Sequence, residues 1–86
     1  MSAAEDRLKK LRWKARRGMK ELDVLLENFL SENENDLLHG DWLEFEELLQ
    51  SEDDRIWIWL QDPTQTQAPH LEKILNRIRN GTAGSP

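Results

Sequence analysis

The sequence predicts an all-α protein, a compact bundle of about five short helices, and three observations carry that prediction. Apolar residues recur at spacings of three and four through successive segments, as helices with one buried face require. Glycine, proline and short polar runs separate those segments, leaving room only for tight connections between neighbouring helices. The one apolar run that could be read as a strand has no second strand to pair with.

Ala4, Leu8, Leu11 and Ala15 form one stripe and predict a first helix over residues 4–15, which Gly18 then interrupts near Arg16. Met19, Leu22, Leu25, Leu26, Phe29 and Leu30 restore the rhythm and predict a second helix to about Ser31. The polar run from Ser31 to Asp36 has no periodicity and ends it. Asp41 is the expected N-cap of a third helix carrying Trp42, Phe45, Leu48 and Leu49 and stopping near Gln50, with Glu44, Glu46 and Glu47 near its positive end. Ser51 to Asp54 reads as a capping box ahead of Ile56 to Leu60, which tips that dense apolar run towards helix. Asp62 to Gln67 reads as a loop. Pro69 then opens a last helix whose Leu71, Ile74, Leu75 and Ile78 keep i, i+3, i+4, i+7 spacing before Asn80 and Gly81 close it. Residues 1–81 are expected to form one domain and 82–86 a disordered tail.

At 86 residues the chain has a small core, because folding at that size buries only about 60–65% of the unfolded surface. With no cysteine to staple it, helix packing and the four tryptophans Trp13, Trp42, Trp57 and Trp59 are expected to supply stability. Trp42, Trp57, Ile58 and Leu60 are expected in the core with the leucines, and Trp59 at its margin. No apolar stretch reaches the ~20 residues of a membrane span and no secretory signal is apparent, so the expected location is cytoplasmic.

The net charge of −5 conceals a strong segregation. Residues 1–20 carry eight basic groups against Glu5 and Asp6, a charge of +6, whereas residues 21–62 carry fourteen acidic groups against Arg55, a charge of −13. Such a chain can orient itself on a partner, or it can simply have solvated helix faces. The basic first helix has the make-up of a phosphate-binding arm, but the acidic region beside it would repel the same phosphates, so nucleic acid is not an expected partner. A membrane-surface role is weaker still, since the apolar stripe of that helix holds only two leucines and two alanines.

Catalysis is not expected. His39 and His70 stand on different elements, which disfavours a metal site, and there is no cysteine, no GxSxG and no glycine-rich phosphate loop. In so small a bundle the many carboxylates have little concavity in which to be desolvated. The segment Arg16, Arg17, Gly18, Met19, Lys20, Glu21, Leu22, Asp23 stands out instead. If residues 17–30 are helical, Arg17, Glu21 and Val24 project about 100° or more away from the buried side. Arg17 and Glu21 are then i, i+4 neighbours able to pair, and Gly18 leaves bare backbone that another protein can approach.

The run RRGMKELD, the apolar VLLENFL after it, and SEDDRIWIWL before a loop and a final amphipathic helix resemble the small assembly factors that promote covalent FAD attachment to succinate dehydrogenase. The similarity spans roughly Leu8 to Arg79, and its most specific part is the RGxxE pattern met by Arg17, Gly18 and Glu21. Bacterial members usually carry a charged or polar residue where Trp57 or Trp59 stands here. The resemblance implies a five-helix bundle, monomeric alone, that binds the flavoprotein subunit of succinate dehydrogenase and in bacteria also that of fumarate reductase. Arg17, Gly18 and Glu21 are the implied contacts, with Arg16, Met19, Lys20 and Asp23 ranked behind them. The implied mechanism is chaperone-like: the factor binds no cofactor stably, and the FAD belongs to the flavoprotein, whose own histidine takes it. Some members have been described as antitoxin-like, which makes a protein-binding regulator of that kind the alternative.

Overall fold

A computed structural model describes residues 3–80, which form six α-helices and no strand among the described residues. In chain order they are α1 (Ala3–Lys14), α2 (Lys20–Glu32), α3 (Glu34–Leu38), α4 (Leu43–Leu48), α5 (Asp53–Gln61) and α6 (Glu72–Asn80). Two single 3-10 turns, Pro63–Gln65 and Pro69–Leu71, lead from α5 into α6. The all-α expectation holds. The expected tail over 82–86, and the Gly81 that was to close the last helix, lie outside the described residues.

α1 begins with Glu5 and Asp6 in its first turn and ends with Arg12 and Lys14 in its last, each sign at the favourable end of the helix dipole. It buries Leu8 and Leu11 and packs on α3, while α2 and α5 both pack on α6. The core joins these stripes: Leu22, Leu26, Phe29 and Leu30 from α2, Phe45 and Leu48 from α4, Ile56 and Leu60 from α5, and Ile74, Leu75 and Ile78 from α6. Phe29 stacks on Phe45 at 4.7 Å between centroids and meets Trp42 edge-on at 5.4 Å.

The polar run from Ser31 to Asp36 ends α2 at Glu32 as expected, but the chain resumes helix at Glu34 instead of continuing as a loop. The buried side chain of Asn33 donates to the Phe29 carbonyl (2.9 Å) and accepts from Arg77 (2.9 Å), turning the chain without unwinding it. α3 follows, anchored by the fully buried Leu37. It closes at Gly40, φ +88°, with Gly40 N donating to Leu37 O (3.2 Å) and Asp41 N to Asp36 O (3.0 Å), a Schellman stop.

Asp41 is not the cap of α4. That position falls to Trp42, in the left-handed region at φ 63°, ψ 47°, and no side chain caps the helix. A bulky residue there is strained, and the indole's surroundings offset the strain: Phe29 lies against its edge, and the Lys73 and Arg77 cations sit 5.8 and 5.6 Å from a ring centroid. The expected capping box of α5 is not formed either, since its N-cap is Glu52, without a side-chain bond. Ile58 is 52% exposed rather than core, because at about 100° per residue it points away from Ile56 and Leu60 on either side of it. Trp13 is a second correction, being 75% exposed, while Trp42, Trp57 and Trp59 are partly buried against the core.

Candidate functional site

α1 stops at Lys14, and residues 15–19 cross to α2 as a loop rather than as helix. Gly18 makes that crossing possible, since its φ of +87° lies where side-chain-bearing residues are strained. A Cβ added at Gly18 would meet nothing within 4 Å, so the glycine is needed for its backbone angle and faces open space.

Two intramolecular ties hold the loop. The Asp23 carboxylate, one turn into α2, accepts from the backbone amides of Arg17 (2.8 Å) and Gly18 (3.2 Å), so the start of α2 is closed from within rather than by a side chain at Met19. The Arg17 guanidinium runs the other way, beneath the α4–α5 turn. It donates to Leu49 O from both terminal nitrogens (3.0 and 2.9 Å), to Ser51 O (2.6 Å), and through Nε to the Asp53 carboxylate at 2.9 Å. Five planar donors suit this task, because the last carbonyls of a helix lack intrahelical partners and a cation there is favoured.

The expectation that Arg17 faces solvent and pairs with Glu21 is therefore corrected. Its side chain is only 12% exposed and its ion pair is with Asp53. The premise of a helix running through residue 17 fails, and with it the i, i+4 geometry. The expected capping box does not form because the helix is capped at Glu52 rather than Ser51, and the Asp54 carboxylate accepts from Arg55 N (2.9 Å) instead. Glu21 and Lys20 are exposed in the first turn of α2, and Arg16 is exposed on the loop; none of the three has a hydrogen-bonding or ionic side-chain partner among the described residues. Val24 is exposed as expected, and Met19 lies half-buried against the core.

The structure thus sorts the candidate residues into two groups. Arg17, Asp23 and Met19 face inward and set the loop, while Arg16, Gly18, Lys20 and Glu21 are presented outward. Sequence reasoning missed Asp53 and the carbonyls of Leu49 and Ser51; carbonyl acceptors leave no trace in side-chain identity, and Asp53 sits inside the stretch read as a capping box. His70 meets Glu47 at 2.6 Å and His39 meets the Asn35 carbonyl, so each histidine is engaged where it stands. Among the described residues no group of three or more His, Cys, Asp or Glu could hold a metal ion, and no helix is long and apolar enough to cross a membrane. What the loop offers chemically is a fixed patch of bare backbone with unpaired charge of both signs around it.

Comparison with known proteins agrees on one family. The family described as the flavinator of succinate dehydrogenase matches residues 9–82. An FAD assembly factor of Coxiella burnetii is 38% identical over 71 residues, covering 83% of this chain and 87% of its own. Proteins of the same description from Xylella fastidiosa and Pseudomonas aeruginosa are 43% identical over 72 residues and 37% over 76, covering 84% and 88% of this chain and 74% and 90% of theirs. No solved structure matches the chain. With the match running through every helix from α1 to α6, the chain belongs to the family of succinate dehydrogenase flavinators.

Proposed function

We propose that this chain is an assembly factor that binds the flavoprotein subunit of succinate dehydrogenase and promotes covalent attachment of FAD to it. Membership of the flavinator family carries this reading, and the relatives' shared description as FAD assembly factors supports it over an antitoxin-like regulator. The docking residues are Gly18 and Glu21, with Arg16 and Lys20 beside them. Arg17, Asp23 and Met19 act from below by holding the loop in shape.

The role is non-catalytic. The FAD and the histidine that takes it belong to the flavoprotein, and the factor contributes by binding the conformation in which the two react more tightly than the resting one. Only such a difference in affinity can shift the equilibrium towards reaction. The same loop is proposed to serve the flavoprotein of fumarate reductase, with the factor acting as a monomer in the cytoplasm.

The test is in-gel flavin fluorescence of the succinate dehydrogenase flavoprotein, normalised to the amount of that subunit, from cells with and without the gene. Covalent flavin is expected to fall without the gene and to return with the wild-type chain but not with Gly18→Arg or Glu21→Ala. Unchanged covalent flavin in the deletion would overturn the reading.

A further inference from the structure

We infer that Trp13 anchors an extension of the docking face, a shallow groove between the end of α1 and the α4–α5 turn that takes an acidic and apolar surface segment of the flavoprotein subunit. The inference rests on the assembly-factor reading and adds to it the chemistry of the second contact. Trp42, Trp57 and Trp59 pack against the core, whereas Trp13 is left 75% exposed. It lines the groove together with Lys14, Arg16, Leu49 and Gln50.

The charge of this groove is cationic. Arg17 and Asp53 also line it but satisfy each other at 2.9 Å, which leaves Lys14 and Arg16 with no ionic partner among the described residues. Elsewhere on the basic arm Arg7 pairs with Glu46, and Arg12 with Glu27, so these neighbours are not free to serve a partner in the same way. An exposed indole beside two unpaired cations matches a carboxylate next to an apolar side chain. Tryptophan and arginine are the residue types that dominate binding energy at the centres of protein interfaces.

The groove also continues into the loop. Arg16 lines it on one side and, on the other, a second depression shared with Gly18 and Val24. One partner surface can therefore cover Trp13, Arg16, Gly18 and Val24 together.

The test is isothermal titration of the full chain with the purified flavoprotein subunit of succinate dehydrogenase, using the wild type, Trp13→Ala, Arg16→Glu, Glu21→Lys and Leu43→Ala. Leu43, 66% exposed and outside both depressions, controls for the loss of an exposed apolar side chain. Trp13→Ala is expected to weaken binding by about 10-fold or more. Arg16→Glu is expected to weaken it and to flatten its dependence on salt, and Leu43→Ala to leave it within about twofold. Thermal midpoints should stay together, since each substituted side chain is exposed. If the wild type binds and Glu21→Lys does not, yet Trp13→Ala behaves like Leu43→Ala, the groove is not part of the interface and the assembly reading survives. If the wild type does not bind the subunit, both fall. Equal sensitivity of Trp13→Ala in binding a single-stranded oligonucleotide would also overturn the acidic-segment assignment, because the groove would then be reading phosphate.

Discussion

Arg7 and Arg17 perform the same chemistry ten residues apart on the basic arm, and comparing them separates what holds the fold from what shapes the candidate site. Each guanidinium is driven into the end of a short helix and meets one carboxylate. Arg7 donates to the carbonyls of Leu37, at the end of α3, and Asp41, and pairs with Glu46 at 3.1 Å. Arg17 donates to Leu49 and Ser51 after α4 and pairs with Asp53 at 2.9 Å. Their side chains are similarly covered, 17% and 12% exposed. The difference lies in the backbone behind each. Arg7 sits in the middle of α1, whose shape is fixed by its own hydrogen bonds, so its clamp ties α1 to α3 and α4 without setting the backbone on which it stands. Arg17 sits in a loop with no ladder, and its clamp acts with the Asp23 carboxylate to hold the backbone around Gly18.

The largest expected effect is that of Arg17→Ala, which strands carbonyls and the Asp53 carboxylate and should cost about 2–3 kcal/mol by urea denaturation. It should also lower covalent flavin even after correction for the amount of folded factor. Arg7→Ala should cost a comparable 2 kcal/mol or so but leave flavin attachment per folded molecule unchanged. Equal flavin loss from both variants would erase the distinction. Next comes Arg17→Lys, expected to cost about 1–2 kcal/mol because an ammonium keeps the ion pair but cannot reach both carbonyls with a fork.

Asp23→Asn sharpens the comparison from the other tie. It keeps the shape of the side chain and weakens two charge-assisted bonds, so a loss of about 1 kcal/mol is expected, with faster hydrogen exchange at the Arg17 and Gly18 amides and none of that acceleration within α1. The smallest effect belongs to a carboxylate engaged mainly by its sequence neighbours. Hydrogen bonds from Thr64, then from Gln65, hold the Asp62 carboxyl below its usual range. Its folded-state value being depressed, the stabilisation it gives is present above the ordinary carboxylate range and is lost as pH falls through the lowered value. Thr64→Val should raise the Asp62 value measured by NMR titration and leave the Gly18 loop untouched.

Much of this fold was legible because α2 and α6 repeat their apolar residues over several turns, and no packing detail could move those stripes. α3 was not: five residues with one deeply buried leucine are too short for any period to register. Trp42 was illegible for a different reason. Its left-handed backbone contradicts local preference and follows from the Phe29, Lys73 and Arg77 surroundings of its indole, which are assembled from distant parts of the chain. At the candidate site, the exposure of Gly18 and Glu21 followed from the sequence. The inward turn of Arg17 did not, because its carbonyl acceptors at Leu49 and Ser51 are common to every residue type.

The reach of Arg17 across more than thirty residues also sets an order of events during synthesis. The basic arm leaves the ribosome before residues 49–53, so the Arg17 side of its loop has nothing to hold until they have followed it and α4 has formed. A truncated or half-folded chain displays the RGxxE letters without their shape. On the docking role proposed for this loop, competence to engage a client is in this way deferred until the bundle has closed.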